Sequence, residues 1–167
     1  MLLCSVEIAI LVANVTINRY ATPMNDQFDL NGFMPYMLNR AAEGTSKGFQ
    51  RHYADRYGML RTEWRVLFHL GRYGDLTAKE ICHRASLHKT KVSRAVAALE
   101  ARRFLTRTTL ETDRRHEVLS LTRGGQSAFK DLIGEAQRYH TRLMEPFSTD
   151  ERATIRKFLD MMASQPR

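Results

Sequence analysis

Residues fit to grip an anionic polymer concentrate between Ser86 and Glu100, in the run Ser86-Leu87-His88-Lys89-Thr90-Lys91-Val92-Ser93-Arg94-Ala95-Val96-Ala97-Ala98-Leu99-Glu100. At about 100° per residue, Val92, Ala95, Val96 and Leu99 share one side of a helix. Thr90, Arg94, Ala97 and Ala101 share the other, flanked by Lys91 and Ser93, and that side holds no carboxylate. Its cations can pair with phosphate or the guanine edge, its hydroxyls can bond either, and its alanines permit close approach. His88, at the start of the run, stands where a phosphate would pass. An amphipathic helix with a merely solvated basic side shows the same pattern, so the neighbouring segments decide between the two.

Upstream, Thr77-Ala78-Lys79-Glu80 has capping-box spacing and predicts a short helix over about 78–84, packed through Ile81 and Cys82. A tight Ala85-Ser86-Leu87 turn follows, with Ser86 expected to cap the second helix. A short helix, a brief turn and a longer basic helix make a helix-turn-helix, whose second member enters the major groove. Downstream, Phe104–Thr109 and Val118–Leu121 read as two short strands. A polar loop over 110–117 carries Asp113, Arg114 and Arg115 at its tip. Such a hairpin is a wing, able to reach an adjacent minor groove or phosphate row, with Asp113 orienting one of the arginines. The expected fold class is therefore mainly α with a small β-wing: a winged helix-turn-helix flanked by terminal helices.

Three segments carry a family resemblance: Arg61-Thr62-Glu63-Trp64-Arg65-Val66-Leu67; Lys89-Thr90-Lys91-Val92-Ser93-Arg94; and Asp113-Arg114-Arg115 followed by Val118-Leu119-Ser120-Leu121-Thr122-Arg123-Gly124-Gly125. Together they resemble the MarR family of bacterial transcription regulators, over roughly residues 28–163. The spacing from the wing arginines to the Leu-Thr-x-x-Gly segment is the specific part. The resemblance implies a cytoplasmic homodimer on a pseudo-palindromic operator in double-stranded DNA, commonly a repressor released by a small anionic aromatic ligand or by oxidation. It also implies that the first helix and the last two build the dimer. One departure stands out: Leu60 occupies the position where the family usually has a capping Thr, so the cap must come from elsewhere, with Thr62 the candidate.

Length and charge bound the same conclusion. A chain of 167 residues is one domain by default and can bury a sizeable core. A net charge of +8 points to a polyanion. A membrane surface is the weaker choice, because Lys and Arg spread along the chain instead of lining one amphipathic helix. Cys4 and Cys82 offer neither a disulfide framework nor zinc-finger spacing. The apolar run over 1–15 lacks a preceding positive charge, contains Glu7 and is too short to span a bilayer. Residues 1–24 read as an extension ahead of the family-like segment, either from an early start codon or as an extra dimer-packing element. Residues 25–167 form the MarR-like domain, with the winged helix-turn-helix over about 60–122.

The positioning elements follow from periodicity. A helix is predicted over about 28–55 with Pro35 in its first turn, where a missing amide is tolerated. Its two apolar stripes suggest two partners, its own core and a second subunit, and Gly44 and Gly48 would admit a close neighbour. The next helix covers 62–72, with Trp64, Leu67, Phe68 and Leu70 in the core and Gly71 and Gly74 ending it. Asp75-Leu76 adds a short strand. Thr122 caps a long helix to Glu145, and Ser148-Thr149-Asp150-Glu151 opens a last one with Ile155, Phe158, Leu159 and Met162 as its buried side. The terminal helices, about 28–55 and 123–163, are the expected dimerisation elements.

No Gly-rich phosphate loop, G-x-S-x-G or H-E-x-x-H occurs, so catalytic residues and cofactors are not expected. Cys82, His83 and His88 do not converge as metal ligands. By the resemblance an effector site lies between the dimer arm and the winged module. His52, Tyr53, Arg56, Trp64, His69 and Tyr73 offer the aromatic walls and cations for a carboxylated aromatic ligand. Two alternatives remain open: a non-specific architectural DNA-binding protein, and a thiol-based redox sensor acting through Cys82.

Overall fold

The computed structural model describes residues 28–110 and 113–164, and their side chains except at 110 and 113–116. The reading of residues 1–24 falls outside the described residues, as do the side chains of Asp113, Arg114 and Arg115. The elements are α1 (Met34–Tyr57), α2 (Arg61–Tyr73), β1 (Leu76–Thr77), α3 (Ala78–Ala85), α4 (Lys89–Ala101), β2 (Leu105–Leu110), β3 (Asp113–Leu121), α5 (Arg123–Met144) and α6 (Thr149–Ala163). Helices around a small antiparallel sheet of order β1-β3-β2 match the expected fold class. The chain divides into two compact units, one ending at Glu43 and one beginning at Gly44.

In the first unit, α1 begins at Met34, not Phe28. The Asp29 side chain accepts the Asn31 N–H at 2.9 Å and the Asp29 carbonyl accepts the Gly32 N–H at 3.1 Å. This local turn competes with the helix and delays it, leaving Pro35 in the first turn as expected. Phe28 and Phe33 meet edge-on with centroids 5.2 Å apart.

The second unit is built around the helix-turn-helix. Val66, Leu67, Ile81, Val92, Leu99, Leu105 and Leu119 are fully buried and join α2, α3, α4 and the sheet into one core. Each such side chain contributes roughly 1.5–3 kcal/mol relative to exposure. Leu76 of β1 pairs with Leu119 of β3, so two residues suffice to tie the front of α3 to the wing. Gly74 ends α2 with φ 80, but Gly71 lies inside the helix. A methyl group at Gly71 would overlap the Phe129 ring of α5, and one at Gly48 would overlap Tyr139. Both glycines are therefore seats for aromatic rings, which overturns the terminating role expected of Gly71.

Other expectations need correction. Leu60 has no side-chain acceptor, and Glu63 instead of Thr62 supplies the cap interaction, accepting the Leu60 N–H at 2.9 Å. The wing strands are longer than expected, with Leu110 opposite Asp113 and a register shift at Thr109/Leu110. A ribbon edge tolerates polar residues, so the absence of apolar alternation hid the start of β3. In α6, which the Ser148–Glu151 capping box opens as expected, no residue is buried within the single chain, and Leu159 is 49% exposed.

Candidate nucleic-acid interface

The capping box of α3 forms as its spacing requires. Glu80 accepts the Thr77 N–H at 2.7 Å, and Thr77 Oγ1 accepts the Glu80 N–H at 3.2 Å. Ser86 then adopts the left-handed conformation (φ 50) and ends α3, with its own N–H donated to the His83 carbonyl at 3.3 Å. It does not cap α4. That role belongs to His88, whose Nδ1 accepts the Thr90 N–H at 3.3 Å. The signal missed in the sequence is that a ring nitrogen can replace the usual hydroxyl or carboxylate.

The buried stripe of α4 is Val92, Ala95, Val96 and Leu99, as its spacing predicts. Its other side leaves His88, Lys89, Thr90, Lys91, Ser93, Arg94 and Ala97 exposed. Glu100, the one carboxylate of α4, is engaged by Arg107 of β2 at 2.8 Å, and Arg107 also reaches Glu117 at 3.3 Å. Among the described residues no ion pair engages Lys89, Lys91 or Arg94. The far end of α4 is fixed by Arg102, which pairs with the buried Glu63 carboxylate at 2.5 Å. Asp113, Arg114 and Arg115 open β3 at the wing end; their side chains are not among those described.

A pocket of about 380 Å³ lies among α1, α2 and α5 within the second unit. Its walls include Phe49, Tyr53, Trp64 and Tyr139, with Arg61 and Arg65 on one side. Tyr53 and Trp64 are nearly parallel, 9° apart, at a centroid distance of 6.2 Å. Burial, and then the Arg61 charge, pull the Arg65 guanidinium below the usual arginine range. Arg65 also donates to the carbonyl of Ala85, the last residue of α3, and so joins the pocket to the helix-turn-helix bend.

Of the six residues expected around an effector, Tyr53 and Trp64 line this pocket. His52 and Arg56 turn toward α5, with His52 Nδ1 3.5 Å from Glu135 and Arg56 2.8 Å from Asp131. His69 and Tyr73 line a separate groove beside α3. Phe49, Arg61, Arg65 and Tyr139 were missed, although Phe49 lies one helical turn before Tyr53, and Arg61 and Arg65 bracket Trp64. Cys82 is half-buried in a cleft with Lys79 and Lys89. Among the described residues no three His, Cys, Asp or Glu side chains gather as a metal site, and no helix is long and apolar enough to cross a membrane.

Residues 57–116, from the end of α1 into the wing, match the family model described as MarR family. The chain carries a MarR-family domain. The HTH-type transcriptional regulator YwoH of Bacillus subtilis (strain 168) is 21% identical over 136 residues, which span 81% of this chain and 98% of YwoH. Among solved structures, one concerns regulation of DNA binding of Bordetella bronchiseptica BpsR by 6-hydroxynicotinic acid. It is 19% identical with a TM-score of 0.75, covering 83% of this chain and 99% of BpsR. NadR in complex with 4-hydroxyphenylacetate is 17% identical with a TM-score of 0.69, covering 86% of this chain and 99% of NadR. These structural likenesses establish the MarR winged-helix fold. With its MarR-family domain the chain is a DNA-binding transcriptional regulator, a non-enzymatic role.

Proposed function

We propose that this MarR-family regulator is a homodimeric repressor of a pseudo-palindromic operator, released by a small aromatic carboxylate. The observation that carries the reading is the exposed side of α4, where among the described residues no ion pair ties Lys89, Lys91 or Arg94 to a carboxylate, with Thr90 and Ser93 exposed between them. Arg94, with Thr90 and Ser93, reads base edges; His88, Lys89 and Lys91 hold phosphates; Arg114 or Arg115 enters the minor groove, oriented by Asp113. The dimer is supported by apolar side chains that a single chain leaves exposed in the terminal segments: Phe33 and Met37, and separately Leu143, Leu159 and Met161. In this reading α1, and α5 with α6, are the dimerisation elements before and after a winged helix-turn-helix over about 60–122. Two recognition helices related by a two-fold axis enter successive major grooves about 34–36 Å apart.

The effector reading rests on the pocket's chemistry. Aromatic walls suit a ring, and two guanidiniums suit its carboxylate. BpsR and NadR, proteins of the same fold, were studied with ligands of this chemical class. A carboxylate that draws Arg65 inward competes with the Ala85 carbonyl for the guanidinium, so ligand occupancy alters the anchor of the α3–α4 bend.

Selection from a random duplex library tests the operator, which should be an inverted repeat. On matched and mismatched duplexes, Arg94→Ala should cost about 1–3 kcal/mol at one position and relax discrimination there, whereas Lys89→Ala should weaken all sequences alike. Equal weakening everywhere by both variants would end the assignment of Arg94 to base reading.

A further inference from the structure

Beside the reading face lies an open groove between the end of α2 and the exposed side of α3, walled by His69, Tyr73, Lys79, Glu80, His83 and Arg84. Neither base reading nor the effector pocket accounts for it. The Arg84 guanidinium sits over the Tyr73 ring, 4.7 Å from its centroid, which places the cation without neutralising it. Glu80, the carboxylate of this wall, is held in the α3 cap by the Thr77 N–H at 2.7 Å and hydroxyl at 2.8 Å, and from there it still feels the Arg84 charge. His69 Nδ1 donates to the Arg65 carbonyl at 2.7 Å, fixing the ring at the back of the groove. Lys79 also lines a second cleft with Lys89, the first residue of α4. Arg84, Lys79 and Lys89 therefore follow one another from the groove onto the start of the recognition helix.

We propose that this strip tracks the phosphodiester backbone of the strand flanking the major groove that α4 enters, with Lys79 and Arg84 as phosphate-binding residues. The inference rests on the DNA-binding role of α4. A small anion is the poorer occupant. Five residues apart on a helix, Lys79 and Arg84 have Cα atoms about 140° apart around the axis and about 7.5 Å apart along it, a spacing that suits successive phosphates better than one carboxylate. A row of phosphates can meet both. Contacts of this kind position the protein without reading sequence.

The test is the salt dependence of binding, by fluorescence anisotropy from 50 to 200 mM KCl, to the selected duplex and to a random one. Lys79→Gln, Arg84→Gln, the double variant and, as a distant control, Lys157→Gln on α6 would be compared with the unaltered chain. Each single substitution should reduce the slope of log K against log salt by about 0.9, equivalent to roughly eightfold weaker binding at about 100 mM salt. Both duplexes should suffer equally, Arg84→Lys should retain most of the slope, and Lys157→Gln should change nothing. Unchanged slopes in the Lys79 and Arg84 variants would overturn the track while leaving the reading face intact, as would a loss confined to the selected duplex. An unaltered chain that bound no duplex at 50 mM KCl would overturn both.

Discussion

Replacing Glu63 by Gln keeps the shape of the α2–α4 link and removes its charge. The carboxylate is 6% exposed and takes two hydrogen bonds, from the Leu60 N–H at 2.9 Å and from Arg102 at 2.5 Å. Breaking a fully buried pair costs about 3–5 kcal/mol, but the Arg102 side chain is 38% exposed and water screens that end. Scaled down for that exposure, the loss should be roughly 2–3 kcal/mol, which at about 2–4 °C per kcal/mol for a chain of this size lowers Tm by roughly 5–10 °C. The decisive assay is a double-mutant cycle of Glu63→Gln and Arg102→Met by urea unfolding at pH 7. The two losses should fail to add, with a coupling energy of about 1–3 kcal/mol. Additive losses, or a coupling below about 0.5 kcal/mol, would show that Glu63 serves only the α2 cap and that α4 is held by apolar packing alone.

Gly71→Ala should destabilise the protein by about 1–3 kcal/mol despite alanine's better helix propensity, because the new methyl meets the Phe129 ring. Phe129→Leu should restore part of that loss in thermal melts. Burial first, opposed by the Arg61 charge, raises the Tyr53 hydroxyl above its ordinary 10.0. The stabilisation from its folded-state protonation is complete below the unfolded value and is lost as pH climbs through the higher folded one, so alkaline stability should fall less steeply in Tyr53→Phe. A Tyr53→Phe profile identical to that of the unaltered chain would refute the role of burial there.

Much of this architecture was legible because helix period and capping chemistry are local. Val92, Ala95, Val96 and Leu99 announced the inner side of α4, and Thr77 with Glu80 announced the start of α3. What escaped depends on partners distant in sequence. Glu63 stood in the family-like segment with no role of its own, because its partner Arg102 lies 39 residues away. Gly71 looked like a stop signal because nothing nearby reveals the Phe129 ring above it. The pocket was half legible: Tyr53 and Trp64 stood out as aromatics, whereas nothing local in the sequence turned Arg61 and Arg65 toward them. His52 and Arg56 were drawn away by carboxylates on α5, Glu135 and Asp131, far along the chain from them.

The two rings seated on glycines have a mechanical consequence. Tyr139 on Gly48 and Phe129 on Gly71 act as indexing pins that lock α5 against α1 and α2, with the Tyr139 hydroxyl latched to the Thr45 carbonyl at 2.8 Å. A pinned rod can neither slide nor roll by small steps, because each ring must climb out of its notch before the helix advances. The three walls of the pocket therefore behave as a stiff frame. On the effector reading proposed above, strain from an occupant would pass outward along Arg65 to the α3–α4 bend.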